Sequence, residues 1–185
     1  AHEAGIPVVV DAAGQLPPAS NLQRFISEGA DLVAFSGGKT IGGPQSSGIL
    51  CGRRDLVQAA ALQHLDLDIH WEQWNPPAVL IDKERLPGAP QHGIGRPCKV
   101  GKEEIVGLLT ALQRFVEEDP QERRQRWFEL MKELHAALTS MPHSEAILVN
   151  DTKRFEIPVV HLQVDEDALG KSALQVVCEL QDGDP

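Results

Sequence analysis

The chain has 185 residues, 42% of them hydrophobic and 24% charged, which is material for one domain, or for one domain and part of a second. Lys and Arg number 17 against 27 Asp and Glu, a formal net charge of −10; nucleic acid is therefore not an expected partner, since such surfaces need a basic face. No apolar run approaches the roughly 20 residues of a membrane-spanning helix, and Cys51, Cys98 and Cys178 lack metal-like spacing, which fits a reduced, cytoplasmic setting without a membrane partner.

Ala1–Gly5 reads as the last turn of a helix with a glycine stop. With no initiator Met and a turn-like Asp182-Gly183-Asp184-Pro185 end, the chain is expected to be a fragment cut from a longer protein. Pro7–Asp11 is a β-branched run without alternation, as in a parallel strand covered on both faces. A short helix is expected over Ser20–Glu28, a second buried strand over Asp31–Phe35, a third strand over Gly48–Cys51 and a helix over Arg53–Leu65. This order implies an α/β fold with a mostly parallel sheet, in which ligands gather beyond the carboxyl ends of the strands.

Residues 66–98 are irregular and rich in Pro and Gly, with Trp71 and Trp74 expected to anchor the loop. From Gly101 the pattern is helical, and Ile105, Leu108, Leu109, Leu112 and Phe115 form a stripe expected to be core. Asp119-Pro120-Gln121-Glu122 supplies a cap, a first-turn proline and an acid for a further helix, expected to bury Trp127, Leu130, Met131, Leu134 and Leu138. Strands at Ala146–Val149 and Ile157–Val164 and a last helix starting with Ser172 and Gln175 in capping-box spacing complete the chain. Two domains are expected: residues 1–100, a large α/β domain including the irregular loop, and residues 101–185, a connecting helix and part of a small α+β domain.

The chemistry centres on Lys39, which follows a buried strand among Gly37, Gly38, Gly42 and Gly43. Glycines let backbone approach a ligand closely, and desolvation there would make the amine a better nucleophile. A phosphate-binding P-loop fits Gly38-Lys39-Thr40 but would need glycine at Val33. Ser36 and Lys39 match a Ser-x-x-Lys pair whose companion motifs are absent. A pyridoxal-phosphate (PLP) site needs a lysine and a carboxylate on a neighbouring strand end, and Asp11 lies one strand–helix–strand excursion before Lys39. His64 and His70, with Asp66 and Asp68 between them, fit no zinc pattern, so no metal is expected.

Val9-Val10-Asp11-Ala12-Ala13-Gly14-Gln15, Gly29-Ala30-Asp31-Leu32-Val33, Phe35-Ser36-Gly37-Gly38-Lys39 and Gly42-Gly43-Pro44-Gln45, in this order, resemble fold-type-I PLP enzymes. Within them the similarity is to the selenocysteine-synthase-like group that includes D-glucosaminate-6-phosphate ammonia-lyase, a likeness extended by His92-Gly93-Ile94-Gly95-Arg96 and Lys99-Val100-Gly101-Lys102-Glu103-Glu104. The resemblance implies Lys39 as the Schiff-base lysine, Asp11 at the pyridine nitrogen, Ser36 toward the cofactor phosphate and Gln15 near the phenolic oxygen. It offers His92 and Arg96 as substrate- or partner-site candidates. It further implies an ammonia-lyase type of elimination on an amino acid or amino sugar acid, with selenium or sulfur transfer as the alternative enzyme and a non-catalytic binding module as the alternative of another class. A homodimer or larger homo-oligomer is expected, with the phosphate-cradling turn and ring-stacking residue upstream of Ala1.

Overall fold

The computed structural model describes residues 1–183, so part of the expected C-terminal turn, Asp184 and Pro185, lies outside the described residues. It comprises two compact units, residues 1–117 and the remainder from Glu118.

In the first unit, a helical turn at His2–Ala4 ends on Gly5 in the left-handed conformation at φ 69°, as the glycine stop implies. Strand β1 (Val9–Asp11) is followed by helix α1 (Asn21–Ser27) and strand β2 (Leu32–Ser36). The two strands are parallel, with Asp11 opposite Ala34. Strand β3 (Gly48–Gly52) then runs antiparallel to β2, pairing Ser36 with Gly48 and Leu32 with Gly52. This corrects the expectation of a mostly parallel sheet. Only residues 37–47 connect β2 to β3, and a parallel return needs a dozen or more residues, usually carrying a helix. Helix α2 (Arg54–Gln63) follows.

The core gathers Ala12, Leu16, Val33, Phe35, Ile41, Leu108 and Phe115. Leu108 and Phe115 come from helix α3 (Lys102–Glu117), so this helix is part of the first unit. Its stripe is only partly core: Ile105 and Leu109 are exposed, because the packed face runs through Leu108 and Phe115. Val9 is exposed as well, so β1 is not covered on both faces by this chain. The 66–98 segment is organised by three short turns, Trp71–Gln73, Lys83–Arg85 and Arg96–Cys98. Lys83 fastens the first of them, donating from Nζ to the carbonyl oxygens of Trp71 at 2.7 Å and Trp74 at 2.6 Å while lying 4.7 Å from the Trp71 ring centroid.

The second unit contains helix α4 (Pro120–Leu138), the antiparallel hairpin β4 (Ser144–Val149) and β5 (Val159–Val164), and helices α5 (Glu166–Leu169) and α6 (Ala173–Asp182). Asp119 caps α4, accepting from the Gln121 N–H at 2.7 Å. Ser172 and Gln175 form the expected reciprocal capping box on α6. Helix α4 lies on the hairpin, with Arg124 donating to the carbonyls of Phe155 and Glu156 and to Asn150 Oδ1. Leu130 and Leu134 remain exposed, contrary to their expected burial: the described elements around α4 do not cover that part of its apolar face. Among the described residues no helix is long and apolar enough to cross a membrane.

Candidate active site

Each residue assigned to the carboxyl edge of the first sheet stands beside a buried anchor. Asp11 precedes Ala12 (0% exposed), Gln15 precedes Leu16 (7%), Ser36 follows Phe35 (3%) and Lys39 lies two before Ile41 (5%). Those anchors belong to one core cluster, so hydrophobic burial, worth roughly 1.5–3 kcal/mol for a large side chain, fixes the backbone from which the polar groups project. Asp11 ends β1 and Ser36 ends β2, on strands that run in the same direction about 5 Å apart.

The two loops leaving these strand ends are tightly turned. After β1, the Ala13 N–H donates to Asp11 Oδ1 at 2.9 Å and the Gln15 N–H to the Ala12 carbonyl at 3.0 Å. After β2, the Gly42 N–H donates to the Lys39 carbonyl at 2.8 Å, the Gly43 N–H to that of Gly37 at 2.8 Å, and the Gly37 N–H to that of Ser47 at 2.9 Å. The glycine pair before Lys39 is dictated by close approach. A Cβ on Gly37 would stand 2.2 Å from Ser47 Oγ, and one on Gly38 would stand 2.5 Å from the Gln45 Cα.

Lys39 is exposed, so the expected desolvation is not supplied within this chain; Asp11 and Gln15 are exposed and Ser36 is half-buried. Among the described residues neither the Lys39 amine, the Ser36 hydroxyl nor the Gln15 carboxamide has a side-chain hydrogen-bond partner, and Asp11 spends one oxygen on its own turn. An exposed acid, amine and carboxamide and a half-buried hydroxyl thus gather along the carboxyl side of one sheet, groups of the kinds that fit the ring nitrogen, aldehyde, phenolic oxygen and phosphate of PLP.

His92 and Arg96 are placed differently. Their segment is tied to the end of α2 and the residues after it: the His92 N–H donates to Asp66 Oδ1 at 3.0 Å, and the Gly93 and Gly95 N–H groups donate to the Leu65 and Gln63 carbonyls at 3.0 and 2.8 Å. Both side chains are exposed, and among the described residues no hydrogen bond joins this segment to the Lys39 loop. His92 holds a left-handed backbone, φ 56°, uncommon for a residue with a side chain.

The sequence motifs did not single out the ionic knot at the amino end of β2. The buried Asp31 carboxylate accepts from the Val8 N–H at 2.7 Å, His2 Nε2 at 2.7 Å and Arg53 at 3.1 Å. The Val8 amide first, then His2 and Arg53, hold this carboxyl far below the usual range. The same residue crowds Gly52, where an added Cβ would meet the Asp31 carbonyl oxygen at 2.1 Å.

The fold resembles part of a solved enzyme structure. The solved structure of D-glucosaminate-6-phosphate ammonia-lyase matches 98% of this chain and 40% of its own with a TM-score of 0.64 at 24% sequence identity. Residues 3–68 match the family model SelA, L-seryl-tRNA selenium transferase. The 5'-C-glycyluridine monooxygenase-decarboxylase of a Streptomyces species is 36% identical over 184 residues, all of this chain but 38% of that protein. The D-glucosaminate-6-phosphate ammonia lyase of Salmonella typhimurium is 30% identical over 60% of this chain and 21% of its own length. The L-seryl-tRNA(Sec) selenium transferase of Moorella thermoacetica is 37% identical over 64% of this chain and 22% of its own. The matches are to the selenium transferases and ammonia lyases of the selenocysteine-synthase-like group and to a monooxygenase-decarboxylase, and the chain spans well under half the length of these relatives.

Proposed function

We propose that the chain is part of a fold-type-I PLP enzyme that acts at the α-carbon of a small amino substrate, an amino acid or amino sugar acid, and expels ammonia or another substituent by elimination. The observation that carries this reading is the placement of an acid at the end of β1 and an amine in the turn just after the adjacent parallel strand β2, with no side-chain partners among the described residues save Asp11's own turn. Residues 1–100 would supply the later half of the cofactor domain, and residues 101–185 a connecting helix, packed against the first unit's core, with part of a small domain.

PLP, when bound, supplies an electron sink conjugated to the substrate's amino group. Lys39 would hold the cofactor through Nζ and, once that amine is released, would serve as the general base for the α-proton. Asp11 would face the ring nitrogen and favour its protonated form, Ser36 would offer its hydroxyl to the phosphate, and Gln15 its carboxamide to the phenolic oxygen. Arg96 and His92 reach substrate from a partner subunit in a homo-oligomer, which would also protect residues 66–98 from proteolysis.

A second reading is favoured by one comparison. The similarity to a monooxygenase-decarboxylase extends through the whole chain, whereas that to the ammonia lyase covers 60% of it. Removal of the substrate carboxylate with uptake of dioxygen is therefore the alternative outcome at the same lysine, and selenium or sulfur transfer is a third.

The test uses the full-length protein with PLP. A visible absorbance band in the wild type that is lost in Lys39→Ala supports the cofactor assignment; no band supports a binding module instead. Candidate amino substrates are then followed for ammonia, carbon dioxide and oxygen together. Ammonia without oxygen uptake selects the lyase reading, and carbon dioxide with oxygen uptake overturns it in favour of the second.

A further inference from the structure

Two side chains with no part in the proposed chemistry tie the candidate residues together. Thr40, immediately after Lys39, donates its hydroxyl to the carbonyl of Leu16 at 2.8 Å. Asn21, buried at the start of α1, donates from Nδ2 to the carbonyl of Gln15 at 2.7 Å. Successive carbonyls of the turn after β1 are thus held by donors from two different elements. Beyond the β1–β2 ladder and its continuation from the Ala12 N–H to the Ala34 carbonyl, the Thr40 bond is the hydrogen bond that joins the Asp11–Gln15 turn to the Lys39 turn among the described residues.

Asn21 carries a sign of a role other than packing. Its Oδ1 is buried without a hydrogen-bond partner. An unmet buried acceptor is costly, and an apolar side chain of similar size would fill the space without that cost. Its Nδ2 bond to Gln15 is what the amide contributes at this position.

We propose that Thr40, which ties the turn after β1 to the turn bearing Lys39, and Asn21, which pins Gln15 of that same turn to α1, are positioning residues that set where the acid and the amine stand across a bound cofactor. This inference rests on the PLP reading above. Each turn is stiffened by its own backbone hydrogen bonds, so a single tie between them transmits position rather than being absorbed by slack. Loss of the tie leaves all four proposed cofactor contacts chemically intact but free to shift relative to one another.

The experiment titrates the full-length apoprotein with PLP and records the dissociation constant and the visible circular dichroism per bound cofactor. Thr40→Val, which keeps the side-chain shape and removes the donor, should weaken PLP binding by roughly five- to tenfold, one net hydrogen bond. It should also reduce the induced dichroism per bound cofactor, and Thr40→Ser should restore both. Lost stability alone would leave the dichroism per bound cofactor unchanged. Thr40→Val that matches the wild type in both readouts overturns the proposal. Should Thr40→Val fail to fold, Asn21→Ala is measured in the same way: the same two losses support the proposal and wild-type values overturn it. A wild type that forms no lysine adduct with PLP refutes the cofactor reading itself and this inference with it, an outcome distinct from a normal wild type with a silent Thr40→Val.

Discussion

Replacing Gly37 by alanine is a direct probe of how the lysine loop is built. The new Cβ would lie 2.2 Å from Ser47 Oγ, 2.8 Å from Leu108 Cδ1 and 3.0 Å from the Ser47 carbonyl oxygen. Rotating the hydroxyl away breaks its 2.6 Å bond to the Pro44 carbonyl, worth about 1 kcal/mol. Displacing the buried Leu108 adds an overpacking cost of about 1–3 kcal/mol. Together these amount to roughly 2–4 kcal/mol, which at about 2–4 °C per kcal/mol for a chain of this size is a fall in Tm on the order of 5–15 °C. Gly14→Ala is the control: nothing lies within 4 Å of its added Cβ, and a change near zero or a gain of about 0.4–1 kcal/mol is expected. Thermal melts of the two variants and of Gly37→Ala/Ser47→Gly supply the test. The double variant removes the closest clash and should recover part of the loss, a coupling that distant sites do not show. A Gly37→Ala protein that melts with its parent, or a double variant that recovers nothing, would refute the close-approach argument.

Other outcomes follow from the rest of the structure. Because the folded-state value of Asp31 is depressed, its stabilising contribution is complete above the ordinary aspartate pKa of about 3.9 and is lost as pH falls from there toward the folded value. Urea midpoints measured down through the acid range should therefore fall less steeply for Asp31→Asn than for the wild type, while the variant is the less stable of the two near neutrality. Burial pushes the Cys51 thiol up, whereas Cys98 and Cys178 are exposed. Iodoacetamide labelling read by peptide mass should modify Cys51 last, and equal rates would contradict its half-buried place on β3. Asp119→Ala removes the cap on α4 and should cost about 1 kcal/mol, seen as a lower urea midpoint. Lys83→Met removes the donor from the Trp71 and Trp74 carbonyls and should raise proteolytic cleavage within residues 66–98; an unchanged cleavage rate would show that the loop does not depend on it.

Local signals in the sequence translated well where the physics is local. The Gly5 stop, the Asp119 cap and the Ser172/Gln175 box each depend on a few neighbouring residues, and each forms as read. The direction of β3 was also available, since residues 37–47 are too few for a parallel crossover, but the strand–helix–strand rhythm before it suggested otherwise. Burial was harder to read. Periodicity shows that Ile105, Leu109, Leu130 and Leu134 share apolar faces, yet it cannot show which half of a face this chain covers. Lys39, Asp11, Ser36 and Gln15 stood out because special residues surround them. Thr40, Asn21 and Lys83 did not, since a hydrogen bond to a distant carbonyl leaves no pattern of its own.

The central claim is that Lys39 is the amine that takes the cofactor. Treating the full-length protein with PLP, reducing with borohydride and mapping the modified peptide by mass spectrometry tests it at the level of a single atom. The account predicts one stoichiometric pyridoxyl adduct on Nζ of Lys39, absent from Lys39→Ala. An adduct centred on another lysine, or none in the wild type, would contradict it.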